Sequence, residues 1–218
     1  MAKHVPRLLA VEIVLALILF GAAGRIDLPW FWATLLIHAS LVQLAFLLMD
    51  PALRRERLKP KRGGRDRHFR RVAAPLIVGH LIIAGLDVGR YHWTPPLPMV
   101  VQGLGLAVYT LGVLFIIWAM TWNRFFSPVV RIQSERGHHV ISTGPYRFVR
   151  HPGYTGMLVA SLTEGIALGS LWSILPLIPF MIQIVRRTLI EDAILRRELD
   201  GYEGYVERVR FRLVPRLW

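Results

Sequence analysis

The sequence contains no cysteine, which excludes disulfides, thiolate metal sites and a cysteine nucleophile. Acidic side chains are also few: 14 Asp and Glu stand against 27 Lys and Arg, giving a formal net charge of +13. A phosphate-binding P-loop and a serine-hydrolase motif are absent. Because His138, His139 and His151 lack the acidic or i,i+4 histidine companions of known zinc patterns, we expect no metal site.

Hydrophobic residues, in contrast, make up 54% of the 218 positions. A chain that is both this apolar and this basic must separate the two properties along its length, which is typical of an integral membrane protein. A nucleic-acid-binding protein would need a soluble folded domain to present its charge. The apolar runs leave no room for such a domain, so no nucleic-acid partner is expected.

Six apolar segments recur along the chain, at residues 8–23, 29–49, 72–88, 98–121, 154–168 and 171–185. A membrane-spanning helix needs about 20 apolar residues, and the second and fourth segments satisfy this length. The last two are short and only Gly169 and Ser170 separate them, so they form either a full membrane hairpin or a shallower one. We predict an all-α, polytopic membrane helix bundle with five to six transmembrane helices. We interpret the first segment as a retained span and not as a signal peptide.

The basic residues predict the orientation of this bundle. With six spans and both ends inside, 25 of the 27 Lys and Arg fall in cytoplasmic segments, and only Arg25 and Arg90 fall outside. The N- and C-termini are therefore expected to be cytoplasmic. The densest basic run, residues 54–71, is expected to lie against anionic membrane lipids.

The chain divides near residue 121. Residues 1–121 are predicted to form an N-terminal four-helix membrane region with a basic cytoplasmic loop at 50–71. Residues 122–218 are predicted to contain a polar loop, a helical hairpin and a cytoplasmic C-terminal helix. The polar loop, 123–154, carries several apolar pairs that would be buried on folding, which predicts a compact, ordered cap at the cytoplasmic face.

Ionisable residues within or beside the spans mark candidate sites, because charge in hydrocarbon is costly. Glu12 and Glu164 are expected to face the bundle interior, either as hydrogen-bonding groups between helices or as catalytic groups. Asp87 is expected at the solvated outer end of its span. Arg187 and Glu191 lie one helical turn apart, so they form either a surface ion pair or part of a site.

Three motifs follow one another in the C-terminal third: GPYRFVRHPGYTG from Gly144, R-T-x-x-E-D-x-x-L from Arg187, and G-Y-x-x-Y-x-x-R-V from Gly201. In this order, with a membrane hairpin between the first two, they resemble the superfamily of integral membrane methyltransferases that includes isoprenylcysteine carboxyl methyltransferases and phospholipid N-methyltransferases. The resemblance covers residues 133–214, whereas the first four spans agree only in being spans.

The resemblance implies an enzyme that uses S-adenosyl-L-methionine and forms S-adenosyl-L-homocysteine, with the cofactor between the loop and the C-terminal helix at the cytoplasmic face. A lipid-like or prenylated acceptor would enter from the bilayer. Carried over by position, the cofactor-binding residues are Gln133, His138, His139, Val140, Ile141, Tyr146, His151, Pro152, Gly153, Tyr154 and Glu191. The implied catalytic residues are Arg187, which would position the substrate, and Glu191. Arg147 and Arg150 are expected to contact lipid headgroups or the rim of the cofactor pocket.

Two positions depart from the family pattern. Asp192 stands where the family usually has a second Glu, and the spacing from Gln133 to His138 is shorter than in the eukaryotic carboxyl methyltransferases. The first change keeps the charge. The second makes the assignment of Gln133 depend on how the loop folds.

The activity most implied is carboxyl O-methylation of isoprenylcysteine, with phosphatidylethanolamine N-methylation and S-methylation of a small thiol as alternatives. A carboxylate acceptor needs no general base and Arg187 could orient it, whereas an amine acceptor needs a base, which His151, Glu12 or Glu164 could supply. More remote alternatives are an NADPH-dependent sterol-type membrane reductase and a non-catalytic membrane scaffold. A prokaryotic inner membrane is the expected location.

Overall fold

The computed structural model describes residues 5–58, 66 and 69–218. These residues form eight α-helices and no strand, which confirms the all-α prediction. The helices are α1 (Val5–Ala23), α2 (Pro29–Leu48), α3 (Pro51–Leu58), α4 (Phe69–Leu86), α5 (Met99–Trp122), α6 (Pro152–Leu168), α7 (Ile174–Glu198) and α8 (Tyr202–Arg208). Residues 59–65 and 67–68 of the basic run lie outside the described residues, so its contact with lipids stays a prediction.

Three stretches of helix are long and apolar enough to cross a membrane: Pro29–Leu48, Arg71–Tyr91 and Met99–Trp122, and Leu8–Ala23 is a shorter apolar helix. The outer faces of these helices are apolar as well, since Leu17, Leu36 and Leu111 are 67%, 62% and 63% exposed. Helices whose backbone bonds are satisfied internally and whose outer faces are apolar suit a lipid environment. The protein is therefore a membrane helix bundle, while the number of spans and their orientation stay predictions.

Small residues allow the helices of this bundle to approach closely. On α6, a Cβ added to Gly156 would lie 2.6 Å from the carbonyl oxygen of Gly112 on α5. Between α1 and α4, a Cβ on Gly85 would lie 2.5 Å from the carbonyl oxygen of Leu19. Close approach of backbones is the usual basis of helix association in membranes, where the solvent supplies little hydrophobic driving force.

The prediction that Asp87 lies in solvent is wrong, because its side chain is fully buried. A π-helical turn at Asp87–Tyr91 ends α4, and the chain then folds back over the carboxylate. The backbone N–H and the hydroxyl of Thr94 donate hydrogen bonds to it at 2.7 and 2.6 Å, and the Ser170 hydroxyl donates at 2.6 Å. Asp87 therefore joins the end of α4 to the α6–α7 connection.

The segment between α5 and α6 folds as a cap on one end of the bundle. It contains two short 3₁₀ turns, Ser134–Arg136 and Gly144–Arg147, and it buries Val130, Tyr146 and Val149. Helix α8 packs over the cap, and the Tyr205 hydroxyl donates a hydrogen bond of 2.6 Å to the Tyr146 carbonyl. The chain after α8 runs beside the start of α6. The cap, α7 and the C-terminal segment thus meet at the same end of the bundle.

Candidate active site

A cavity of about 200 Å³ lies where these elements meet. Its walls come from the cap, the first turns of α6, the second half of α7, helix α8, and residues of α3 and α4. Aromatic side chains line much of it, including Phe69, Phe125 and Phe126, and charged side chains interrupt the aromatic surface. A concave, mainly apolar surface with a few polar groups is the usual form of a small-molecule site.

Most of the predicted site residues line this cavity. They are His138, His139, Val140, Ile141, Tyr146, His151, Gly153, Tyr154, Arg187 and Glu191. The cap, the start of α6 and one face of α7 therefore come together around one space, although they are separated in sequence by a helical hairpin.

Gln133 and Pro152 do not line the cavity. The Gln133 side chain is buried, its amide N–H₂ donates a 2.7 Å hydrogen bond to the Phe125 carbonyl, and its Oε1 accepts one of 2.5 Å from Arg136. Its amide is thus used to hold the cap together. Pro152 is the first residue of α6, a position where the missing backbone N–H costs nothing.

Tyr154 connects the two residues predicted to be catalytic. Its hydroxyl donates a hydrogen bond to Glu191 and accepts one of 2.7 Å from Nε of Arg187. Arg187 and Glu191 are not a surface ion pair, since Arg187 is 5% exposed and each residue contacts the tyrosine. The tyrosine hydroxyl therefore holds one carboxylate oxygen of Glu191, Oε2, in the wall of the cavity.

The guanidinium of Arg187 is fully engaged within the chain. Besides Tyr154, it contacts Asp66 through Nη1 at 2.6 Å and donates from Nη2 to the Pro128 carbonyl at 2.9 Å. It also lies over the ring of Phe69, 4.5 Å from the centroid. Sequence reasoning missed Asp66, although it is one of only two acids, with Glu56, in the basic run 54–71, which was a signal that it has a specific cationic partner.

Asp192 is the centre of a second, buried network. Arg150 donates to it from Nε at 2.8 Å and from Nη2 at 3.1 Å, and Nε2 of His151 lies 3.2 Å away. Arg150 also donates to the carbonyls of Val209 and Arg210, both at 2.8 Å. Of the two expectations for Arg150, contact with headgroups is wrong because the residue is 3% exposed, whereas Arg150 does line the cavity, where it ties α7 to the C-terminal segment.

Burial acts to raise the pKa of Asp192, but the hydrogen bonds from His151 and Arg150 outweigh it and hold this pKa far below its ordinary value. Asp192 is therefore a carboxylate at neutral pH. Since a carboxylate can only accept, the hydrogen on Nε2 of His151 points to Asp192, and Nδ1 is the second nitrogen of the ring.

His138 is held neutral at pH 7. Burial, followed by the charges of His139 and Arg131, lowers its pKa to about 4. Its ring packs on Phe125 with centroids 4.5 Å apart, and its Nδ1 accepts a 3.3 Å hydrogen bond from the Gln133 backbone N–H. In the same wall, burial raises the pKa of Tyr146, so that its hydroxyl stays protonated and accepts a 3.1 Å hydrogen bond from Asn123.

Glu12 and Glu164 are not cavity residues. Glu164 lies ten residues after Tyr154 on α6, roughly 15 Å further along the helix at the usual rise. Its Oε2 is 3.8 Å from Nε2 of His80, and Oε1 of Glu12 is 3.7 Å from Nε2 of His38. Both carboxylates face histidines of neighbouring helices, which fits the expectation of polar contacts within the bundle.

Comparison with known proteins supports the resemblance. Residues 100–200, which contain all but the first residue of α5, the cap, α6 and the whole of α7, match the family of phospholipid methyltransferases. Two curated relatives, probable protein-S-isoprenylcysteine O-methyltransferases of Oryza sativa subsp. indica and subsp. japonica, are each 29% identical over 112 residues. Protein-S-isoprenylcysteine O-methyltransferase B of Arabidopsis thaliana is 30% identical over 74 residues.

The rice matches span 50% of this chain and 59% of the relatives' own length, and the Arabidopsis match spans 34% of each. The fold is that of a helical membrane bundle with a polar and aromatic cavity at one end. The matched region contains the RHPGYTG motif and the E-D pair. The resemblance to the superfamily of integral membrane methyltransferases is thereby confirmed.

Proposed function

We propose that this protein transfers a methyl group from S-adenosylmethionine to a lipophilic acceptor that reaches the capped end of the bundle from the bilayer. The observation that carries the proposal is the cavity itself. It is walled by the RHPGYTG segment and α7, and it combines aromatic surface with the carboxylate of Glu191. The relatives are all named protein-S-isoprenylcysteine O-methyltransferases, which favours a prenylated carboxylate as the acceptor.

The residues in the cavity suit the parts of the methyl donor. Tyr146 and Tyr154 offer aromatic surface to the adenine, and the neutral His138 can exchange a hydrogen bond without adding charge. Glu191 accepts a hydrogen bond from Tyr154 and retains further acceptor capacity for an ammonium or a ribose hydroxyl. These cavity side chains thus fit a ligand with an aromatic base at one end and an amino group at the other.

When bound, S-adenosylmethionine supplies a methyl group made electrophilic by its sulfonium. A lone pair of the acceptor forms the new bond to the methyl carbon while the carbon–sulfur bond breaks and its electron pair remains on sulfur. No covalent enzyme intermediate is needed, so the residues contribute by aligning the two reactants and excluding water. A carboxylate acceptor loses its charge on methylation and releases no proton, and therefore needs no general base.

The test is binding and turnover by the purified protein in lipid nanodiscs. We expect S-adenosylhomocysteine to bind by calorimetry, and label to pass from methyl-labelled donor to N-acetyl-S-farnesylcysteine. Glu191→Gln removes the charge in the cavity and should weaken donor binding about 10-fold or more, since a hydrogen bond to a charged group contributes about 1.5–3 kcal/mol. The matched control is Glu207→Gln, an exposed acid on α8. Absence of S-adenosylhomocysteine binding to the unmodified protein would refute the proposal.

A second acceptor class is phosphatidylethanolamine, which the description of the matched family favours. An amine must lose a proton on methylation. Because Asp192 holds Nε2 of His151, Nδ1 of this cavity-lining ring is the available base. Vesicles of phosphatidylethanolamine with labelled donor distinguish the two: labelled phosphatidylethanolamine indicates N-methylation, and a base-labile methyl ester on the farnesylcysteine probe indicates O-methylation.

A further inference from the structure

Four arginines line the cavity, and three of them have carboxylate partners within the chain. Arg131 pairs with Glu56 at 3.0 Å and with Glu135 at 2.8 Å. The other two pairs, described above, are Arg150 with Asp192 and Arg187 with Asp66. The positive charges of these three side chains are therefore compensated before any ligand enters.

Arg57, on α3, is the fourth arginine and differs from the others. Its Nη1 donates to the Phe126 carbonyl at 3.3 Å, and its guanidinium lies 5.6 Å from the centroid of the same ring. No carboxylate pairs with it in the part of the chain that the structure describes, and all 14 acidic residues of the sequence lie in that part. Residues 59–65 and 67–68 contain Lys, Arg, His, Pro and Gly only, so the remaining loop offers no acid either.

The environment of Arg57 makes an uncompensated charge costly. Burial lowers its pKa, and the nearby Arg187 guanidinium lowers it further. An arginine nevertheless stays protonated in proteins, so it must be solvated or paired. Arg57 is partly buried, and a partly desolvated arginine with no ion-pair partner has hydrogen-bond donors available to a ligand in the cavity.

Glu191 is the negative counterpart of Arg57 in the same cavity. No arginine, lysine or histidine of the described residues forms an ion pair with it, and its hydrogen bond comes from the neutral hydroxyl of Tyr154. Among the described residues, the cavity thus holds one arginine and one carboxylate that lack a direct ion-pair partner, since Arg187 reaches Glu191 only through the Tyr154 hydroxyl. This is the pattern that complements a ligand bearing both a carboxylate and an ammonium group, such as the amino-acid end of the methyl donor.

We propose that Arg57 is the carboxylate-binding residue of the cavity. The inference rests on the proposed function and specifies it further. The carboxylate belongs either to the amino-acid end of the methyl donor or to the acceptor. The methyl donor is favoured, because Glu191 in the same cavity can pair with the ammonium of its amino-acid end. Arg187, which the sequence resemblance implies as the substrate-positioning arginine, already makes one contact within the chain from each of its three guanidinium nitrogens, to Asp66, Tyr154 and the Pro128 carbonyl. In this arrangement Arg187 orients Tyr154 and Arg57 receives the anion.

Two ligand pairs test the proposal by equilibrium binding, and in each pair one member lacks the carboxylate anion. The first pair is S-adenosylhomocysteine and 5′-methylthioadenosine, which lacks the amino-acid end. The second is N-acetyl-S-farnesylcysteine and its methyl ester. Each ligand is titrated into the full-length protein in nanodiscs, into Arg57→Gln, and into the control Arg55→Gln, which removes the same charge from an exposed position of the same helix.

We expect Arg57→Gln to weaken S-adenosylhomocysteine binding at least 10-fold and to leave 5′-methylthioadenosine binding within twofold, with Arg55→Gln changing neither. The same pattern confined to the farnesylcysteine acid and ester would assign the carboxylate to the acceptor. If Arg57→Gln left the affinity difference within each ligand pair unchanged, either by affecting neither member or by weakening both equally, the proposal would be overturned.

Two further controls separate causes. If Arg57→Gln unfolds, Arg57→Lys keeps the charge but loses the planar fork, and it should still weaken S-adenosylhomocysteine selectively. If the unmodified protein bound neither adenosine ligand, the proposed function itself would fail, whatever Arg57 does.

Discussion

Replacing Asp192 with Asn should release the cap and the C-terminal segment from α7. The Asp192 carboxylate is 3% exposed and receives hydrogen bonds from five side chains: Arg150, His151, Arg196, Tyr202 and Arg212. Removing one partner of a buried charge pair usually costs about 3–5 kcal/mol, because the remaining charge is left without compensation. The low exposure means that solvent screening does not reduce this figure much.

Local opening of the cap is the quantity to measure, since large membrane proteins seldom unfold reversibly. At about 1.4 kcal/mol per factor of ten, Asp192→Asn should speed hydrogen–deuterium exchange in residues 144–151 roughly 10²- to 10³-fold. The control, Asp200→Asn, removes the same charge from an exposed position after α7 and should leave exchange unchanged. Exchange in Asp192→Asn within threefold of the unmodified protein would refute the reasoning.

The pH dependence gives an independent check on the same residue. The folded pKa of Asp192 lies below the ordinary value of 3.8, so its contribution to stability is fully present above that value and is lost as the pH falls toward the folded pKa. The free energy of cap opening should therefore differ between the unmodified protein and Asp192→Asn by a constant amount from pH 8 to about pH 5, and this difference should shrink in stronger acid. A difference that already shrank between pH 8 and pH 5 would contradict the assignment to Asp192.

Three smaller perturbations test other parts of the structure. Gly156→Ala should destabilise the α5–α6 contact by about 1–3 kcal/mol because its Cβ meets backbone, whereas Gly204→Ala, which has no atom within 4 Å, should be neutral in thermal unfolding. Tyr109→Phe removes a 2.6 Å hydrogen bond to His38 and should cost about 1 kcal/mol or less in the same assay. His138 binds protons less readily folded than unfolded, so stability should fall as the pH drops from about 6.5 toward about 4, and His138→Gln should flatten that profile.

The local features of the sequence predicted the fold class and most of the cavity wall. The apolar runs predicted the helices, because a span needs its own length of apolar residues wherever it lies in the fold. The GPYRFVRHPGYTG stretch was informative for a similar reason: its residues are contiguous, so those that line the cavity are brought together by one short turn and the start of one helix. The structure added only the direction in which each of these side chains points.

The remaining features depend on contacts between distant segments. Arg57 lines the cavity, and Asp66 contacts the cavity-lining Arg187. Both residues come from the connection between α2 and α4, which the sequence presents as a simple basic run. Asp87 lies near a helix end and has the sequence character of a solvated residue, but Thr94 and Ser170 enclose it. Hydropathy and spacing do not specify which polar groups will meet across the fold, so charge partners of this kind cannot be deduced from one sequence.

The two consecutive acids on α7 have different tasks because successive residues of an α-helix are rotated by about 100°. Glu191 therefore faces the cavity and contacts Tyr154, whereas Asp192 faces the buried network of Arg150 and His151. The segment that packs against α7 shows the same division. Arg150 and His151, before Pro152, bind Asp192, whereas Tyr154, after it, binds Glu191. A change of charge at position 191 should consequently alter ligand binding in a folded cap, while the same change at 192 should open the cap and lower binding only as a result.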